Sequence, residues 1–232
     1  KPVIAGPFTL LKLIRYTGEK QLTDFVEPII QAYSDLLKKA QETKISWIQF
    51  DEPYFVYDLT DDDIKLVQQI YTALLSQKGS IKVLLQTYFG DVRDIYENLI
   101  KLDFDGIGLD FIEGKETKNL IKKYGFPTDK LLFAGVVNGK NIWRNHYGES
   151  LSVLAWLKNN NISAVINTSC SLLHVPYTLK NETKLDLDYT KHFAFAEEKL
   201  TELEELKTLS ELDSYEANDA FVKNLALFKN RK

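Results

Sequence analysis

The residues best suited to chemistry are carboxylates, amides, hydroxyls and a thiol that follow short apolar runs. Asp51 and Glu52 close the run 45–50 and precede Pro53. Two adjacent acids there suit proton transfer as an acid and a base, or a grip on a cationic substrate group. The plainer reading gives one carboxylate to capping a loop and the other to solvent. Thr87 and Tyr88 end a second run, Asp110 a third, Asn138 a fourth, and Asn167 and Cys170 a fifth. Cys170 and His174 form a C-x3-H pair, and thiolate with imidazole is a zinc donor set, but a site needs at least three ligands from protein. The plainer reading is a buried thiol and a loop histidine. Gly106-Ile107-Gly108 lies inside an apolar run and not at a strand–helix turn, so it is no phosphate loop. Its glycines suit close backbone approach. Lys115, Lys118, Lys122 and Lys123 read as a solvated helix face, and His146 and His192 as surface or interface residues. Neither G-x-S-x-G nor H-E-x-x-H occurs.

The elements that must position these residues alternate. Apolar runs at 45–50, 82–88, 106–111, 131–137 and 163–168, with a short one at 2–6, predict strands. Their near-continuous apolar character (Val83-Leu84-Leu85, Ala164-Val165-Ile166) is that of parallel strands covered on both faces. Between them, apolar residues recur at helical spacing over 24–42, 61–75, 92–101, 116–124 and 150–159. Asp24 and Glu27 have the spacing of a capping box, with Pro28 in the first turn. Thr60 caps the next helix, and Asp61, Asp62 and Asp63 place negative charge at the positive end of its dipole. Two long helical patterns close the chain, over 188–206 and 210–229. Strand–helix alternation defines an α/β fold. An open doubly wound sheet gathers its ligand groups at one switch point, whereas a barrel turns every strand end toward one mouth. Polar residues at many strand ends therefore favour the (β/α)8 barrel. About six strands are visible against the eight of a closed barrel, so either two escape detection or the chain begins inside a barrel.

Composition sets outer bounds. The chain has 232 residues, 44% of them hydrophobic and 12% aromatic, which supports a sizeable core and excludes a disordered chain. Its formal net charge of −4 argues against general nucleic-acid binding. No apolar run approaches the ~20 residues that cross a bilayer, and the first ten residues lack a signal peptide's apolar stretch. One cysteine forms no internal disulfide, which fits a reducing, cytoplasmic setting. The absence of methionine, even at residue 1, is expected of a mature product, a fragment or a trimmed piece.

Several strings together carry a resemblance. Ile4-Ala5-Gly6-Pro7-Phe8-Thr9 resembles a Gly-Pro-Val-Thr segment of the cobalamin-independent methionine synthases. So do Trp47-Ile48-Gln49-Phe50-Asp51-Glu52-Pro53, Gln86-Thr87-Tyr88-Phe89, Asn138-Gly139-Lys140-Asn141-Ile142-Trp143-Arg144 and Ser169-Cys170-Ser171-Leu172-Leu173-His174, in family order and over nearly the whole chain. Family enzymes have two (β/α)8 barrels. The C-terminal barrel holds zinc and homocysteine; the N-terminal one helps bind the polyglutamylated folate. The resemblance implies that residues 1–232 are the later part of the N-terminal barrel, incomplete, with about six of eight β/α units and long C-terminal helices over about 188–229.

Matched to the catalytic barrel, the zinc-binding His and Cys fall on Thr87 and Phe89, the Glu ligand on Asp110, and the last Cys on Cys170. The catalytic His falls on Asn141, the indole beside folate on Leu13, and the Glu after the Asp-Glu-Pro segment on Tyr57. The resemblance thus implies a decayed metal site and no catalytic residue in this chain. Asp51, Glu52, Tyr88, Asp110, Asn138 and Asn141 remain candidate pocket-mouth residues. The implied activity is methyl transfer from 5-methyltetrahydrofolate polyglutamate to homocysteine by the full enzyme, with zinc bound in a C-terminal barrel of the same polypeptide. Nucleic acid and membrane are not expected partners. Two alternatives stand: a non-catalytic structural domain, or a decarboxylase-like barrel of the wider superfamily that would use Arg144 and Lys12 on substrate carboxylates.

Overall fold

A computed structural model describes residues 1–229. Six strands lie in one sheet in chain order: β1 (Val3–Ala5), β2 (Trp47–Asp51), β3 (Lys82–Gln86), β4 (Gly106–Asp110), β5 (Leu131–Val137) and β6 (Ala164–Thr168). Among the described residues nine α-helices join and follow them: α1 (Pro7–Leu13), α2 (Val26–Glu42), α3 (Asp61–Leu75), α4 (Tyr96–Leu99), α5 (Thr117–Tyr124), α6 (Tyr147–Asn159), α7 (Leu187–Thr190), α8 (Ala196–Glu211) and α9 (Asp219–Ala226). The described residues form two compact units. The first is Lys1–Leu109 with Glu113–Phe133; the second is Asp110–Ile112 with the residues from Ala134 onward.

In the first unit the register explains the strand pattern. β1 to β4 pair in parallel, and Ile4, Phe50, Leu85 and Ile107 form one transverse row. The adjacent row is Ala5, Asp51, Gln86 and Gly108. Because side chains alternate across a strand, the first row meets the helices and the second turns to the opposite face. Phe50, Leu85 and Ile107 are fully buried, and each contributes on the order of 1.5–3 kcal/mol by leaving water. Phe8, Phe50, Phe55, Tyr71 and Phe104 extend this core by aromatic contacts, the tightest being Tyr71 with Phe104 at 4.9 Å, edge to face. The N-terminus of α3 forms as expected: Thr60 Oγ1 accepts the Asp63 N–H at 3.2 Å, and the Asp63 carboxylate accepts the Thr60 N–H at 3.2 Å.

In the second unit Val136, Leu151, Leu157, Leu206 and Leu209 are buried. β6 ends the strand order, and its side chains are less covered than those of β3 or β4. Ile48, Phe50, Val83, Leu85, Ile107 and Leu109 are core residues as expected, but Val165 is 39% exposed and Ile166 only partly buried. A strand that lacks a neighbour on one side leaves its apolar side chains partly bare. A groove of about 940 Å³ follows this strand, lined by Leu154, Ile162, Val165, Leu203, Leu212 and Tyr215 among others.

Other boundaries differ from the sequence pattern for local reasons. The helix expected over 24–42 starts at Val26, because the Asp24 carboxylate accepts the Gln21 N–H at 2.8 Å and holds 22–25 in a 3-10 turn. Only Tyr96–Leu99 of 92–101 is α-helical; tighter turns precede it. The two long C-terminal helices are instead the short α7, then α8 and α9. Phe193 is taken into an antiparallel bridge with Trp143, which forces 191–195 out of helical geometry.

Candidate functional site

The strand C-termini of the first unit separate the two acids that the sequence sets side by side. Glu52 is fully buried. Its carboxylate accepts the Phe8 and Thr9 backbone N–H groups at 2.9 and 2.7 Å, and the Tyr71 hydroxyl at 2.5 Å. It satisfies the first orphan donors of α1, where negative charge is favoured. Gly6 is required beside it, since a Cβ there would stand 2.2 Å from the Glu52 carboxyl carbon. Burial pushes the Glu52 carboxyl up to about 7, against the opposing pull of its hydrogen bonds. Burial and the Glu52 charge push Tyr71 well above its ordinary range. Glu52 is thus an internal cap with every oxygen engaged, so the loop-capping reading of the acid pair holds for this residue.

Asp51 stands differently. It is half-buried on the opposite face of β2, with Oδ2 accepting the Tyr88 hydroxyl at 2.7 Å and Oδ1 accepting Gln49 Nε2 at 2.7 Å. The structure therefore joins Asp51 to Tyr88, two of the candidate mouth residues, and fixes the carboxylate at both oxygens. The Thr87 hydroxyl donates to the Gly108 carbonyl at 2.7 Å, and Phe89 offers no donor atom.

In the second unit Asp110 is buried, and its Oδ1 accepts the Ile112 N–H at 2.7 Å. Cys170 is buried and in no disulfide. Gly139 makes room for it: a Cβ at that position would lie 2.4 Å from the Cys170 carbonyl oxygen. Asn138 and Asn141 shape the loop after β5. Asn138 Oδ1 accepts the Lys140 and Asn141 N–H groups at 2.8 and 3.1 Å, and Asn141 Oδ1 accepts the Trp143 N–H at 3.1 Å. These are side-chain turns that substitute for backbone pairing. Among the described residues no group of three or more His, Cys, Asp or Glu could hold a metal ion. In the first unit neither the Thr87 hydroxyl, which donates to a carbonyl, nor the Phe89 ring is of the thiolate, imidazole or carboxylate type that holds zinc.

Sequence reasoning missed a second polar cluster in this unit. Lys199 and Glu202 on α8 are buried to within 1% of their surface, and Asn224 on α9 to within 7%. Burial lowers the Lys199 ammonium and raises the Glu202 carboxyl from their ordinary ranges. A signal was present. Lys199, Glu202, Leu206 and Leu209 fall at helical spacing on one buried face, and charged residues within an otherwise apolar stripe depart from the amphipathic pattern.

An α/β chain of successive parallel strand–helix units, with its polar side chains at strand C-termini, is of the (β/α)8-barrel class in incomplete form. The chain belongs to the cobalamin-independent synthase family: the profile of that family's N-terminal domain matches residues 1–162. It is 52% identical over 230 residues to a 5-methyltetrahydropteroyltriglutamate–homocysteine methyltransferase of Campylobacter jejuni subsp. jejuni, covering 99% of this chain and 30% of that protein. A protein of the same name from Lactococcus lactis subsp. cremoris is 52% identical over 233 residues, covering 100% of this chain and 30% of its own length. The chain thus spans about 30% of the length of these relatives. The structure of a B12-independent methionine synthase from Shewanella sp. in complex with selenomethionine aligns with a TM-score of 0.57 at 16% identity, covering 77% of this chain and 57% of that one. At that identity the likeness is one of fold.

Proposed function

We propose that this chain is the non-zinc N-terminal barrel of a cobalamin-independent methionine synthase, contributing scaffold and folate-side surface. The observation that carries the reading is the 52% identity over 230 residues to a 5-methyltetrahydropteroyltriglutamate–homocysteine methyltransferase of which those residues are 30%. In the whole enzyme a methyl group passes from 5-methyltetrahydrofolate polyglutamate to homocysteine. Zinc, held by a C-terminal barrel of the same polypeptide, stabilises the homocysteine thiolate at neutral pH. The chain's own residues bind and position. Asp51, Tyr88, Asp110, Asn138 and Asn141 line the strand C-termini, whereas Glu52 acts beneath that surface as an anchor for α1. Support for a binding role comes from apolar side chains exposed in each unit: Leu13, Tyr16 and Tyr57 in the first, and Leu173, Tyr177 and Leu187 in the second. No helix among the described residues is long and apolar enough to cross a membrane. A single cysteine fits work in the cytoplasm.

The test is reassembly. The chain alone should transfer no methyl group, and activity should return when the rest of a family enzyme, with its zinc-loaded C-terminal barrel, is added. Methyl transfer by the chain in isolation would defeat the reading. So would stoichiometric zinc in the purified chain that disappears in Cys170→Ser.

A further inference from the structure

The loop 138–147, which runs from the end of β5 to the first residue of α6, has almost no regular structure before that residue, yet its backbone is captured at many of its groups. Asn138 and Asn141 take its first N–H groups, as described above. The Ile142 carbonyl accepts the Ala194 N–H at 2.7 Å, and the Arg144 N–H donates to the His192 carbonyl at 2.9 Å. The remaining groups are held by buried side chains of α8 and α9. Lys199 Nζ donates to the Trp143 carbonyl at 3.0 Å, and Glu202 Oε1 accepts the Asn145 N–H at 3.0 Å. Asn224 closes the loop twice: its Nδ2 donates to the Asn145 carbonyl at 2.8 Å, and its Oδ1 accepts the Tyr147 N–H at 3.0 Å. These side chains come from 56 to 79 residues away in the chain.

This is an expensive way to pack a helix. Leu206 and Leu209 fill the same face of α8 with hydrocarbon; an ammonium and a carboxylate at 199 and 202 must be desolvated. Some of that cost is left uncompensated, because Glu202 Oε2, Arg144 Nε and His192 Nδ1 are buried without a hydrogen-bond partner among the described residues. Local departures from packing rules of this kind gather where a particular backbone shape is needed. The shape held here carries Trp143, whose indole is 48% exposed and stands edge to face with Phe193 at 5.3 Å. Trp143, Tyr189, His192 and Phe193 line a cleft of about 400 Å³.

We propose that Lys199, Glu202 and Asn224 are positioning residues that hold the loop 138–147 in one backbone conformation and so fix the Trp143 indole at the rim of this aromatic cleft. The proposal rests on the reading of the strand C-termini as the working face only in giving the loop a purpose; the positioning itself is a property of this chain. Each side chain has a separate target. Lys199 sets the Trp143 carbonyl, Glu202 the Asn145 amide, and Asn224 the exit of the loop into α6.

The test uses the 232-residue chain with Trp47→Phe and Trp156→Phe, which leaves Trp143 as its one indole. Into it go Lys199→Met, Glu202→Leu, Asn224→Ala and Asn224→Asp. Two quantities are read: hydrogen exchange at the Asn145 and Tyr147 amides, with the β3 amides of Leu84 and Leu85 as reference, and acrylamide quenching of Trp143. Glu202→Leu should speed exchange at Asn145, and Asn224→Ala at Tyr147, at least tenfold, with the reference amides unchanged. Lys199→Met should at least double the quenching of Trp143. Asn224→Asp keeps the acceptor and should restore slow exchange at Tyr147. Should Lys199→Met or Glu202→Leu not fold, the two Asn224 variants carry the test. Exchange that rises equally in loop and reference amides, or that is unmoved at Tyr147 in Asn224→Ala, would overturn the proposal, because a merely structural role moves both together. Neither readout involves methyl transfer, so failed reassembly would count against the functional reading alone.

Discussion

Each unit holds a strand-end loop with buried charge, and each does so in its own way. In the first, Glu52 is the residue immediately after β2, reaches the N-terminus of α1, and has both oxygens engaged by three donors. In the second, the holding groups come from helices far along the chain, both signs of charge are buried, and atoms of Glu202, Arg144 and His192 have no hydrogen-bond partner among the described residues. A buried carboxyl with every oxygen hydrogen-bonded at a helix N-terminus holds that helix in place, its bonds offsetting part of the desolvation. A partly satisfied network stabilises less, because each unpaired buried group keeps its desolvation cost. The difference separates a group that holds the fold from groups that hold one loop within it.

The largest expected effect tests the first half of that contrast. Glu52→Ala would strand two backbone N–H groups and the Tyr71 hydroxyl in the interior, and at ~1–3 kcal/mol for each unsatisfied group the loss should be on the order of 3–9 kcal/mol. Gly6→Ala should destabilise through the same contact by displacing Glu52. Urea unfolding measures both, and a loss below ~1 kcal/mol for Glu52→Ala would erase the distinction between the units.

Next in size is the difference between an interior strand and the last one. Leu85→Ala should cost about 2–5 kcal/mol as a fully enclosed truncation, whereas Val165→Ala on the partly bare β6 should cost under ~1 kcal/mol. Equal losses would mean that β6 is as enclosed as β3.

The pH dependence sharpens the account of Glu52. Its folded value of about 7 lies above its ordinary 4.5, so between those two values the folded state binds the additional proton. Stability should therefore be greatest below about 4.5 for this group and fall as pH rises toward 7. In Glu52→Gln that slope should flatten. A wild-type stability that rises across this window, with the slope unchanged in Glu52→Gln, would contradict the assignment. The smallest effect is local: Thr60→Ala should cost ~1 kcal/mol by removing the cap of α3, with no change at the loop 138–147.

What could be read from sequence and what could not divides along the same physical line. Apolar runs, the Thr60 cap and the polar strand ends are short-range patterns, and β5 and the start of α3 lie where the pattern sets them. Asp51-Glu52-Pro53 was visible as a motif, but the partners of Glu52 are 43 and 44 residues away. Which acid faces the helix N-terminus is decided by strand alternation and the register with β1, neither of which a local window contains. The clamp on 138–147 was less legible still. Lys199 and Glu202 read locally as ordinary members of a charged helix, and only the tertiary structure turns them inward. The long helix expected over 188–206 fails for a similar reason: a bridge from Phe193 to Trp143 overrides helical propensity at 191–195.

Strands that neighbour one another in the sheet also neighbour one another in the chain. For a chain made from its N-terminus, this matters before synthesis is complete. Once β2 has emerged, β1 has its partner, and each later strand needs only the one before it. Among these six strands no pairing waits for a distant stretch still to be made. Such a sheet can be assembled like a zip, with loop closures no longer than one strand–helix unit and a correspondingly small entropic barrier at each step.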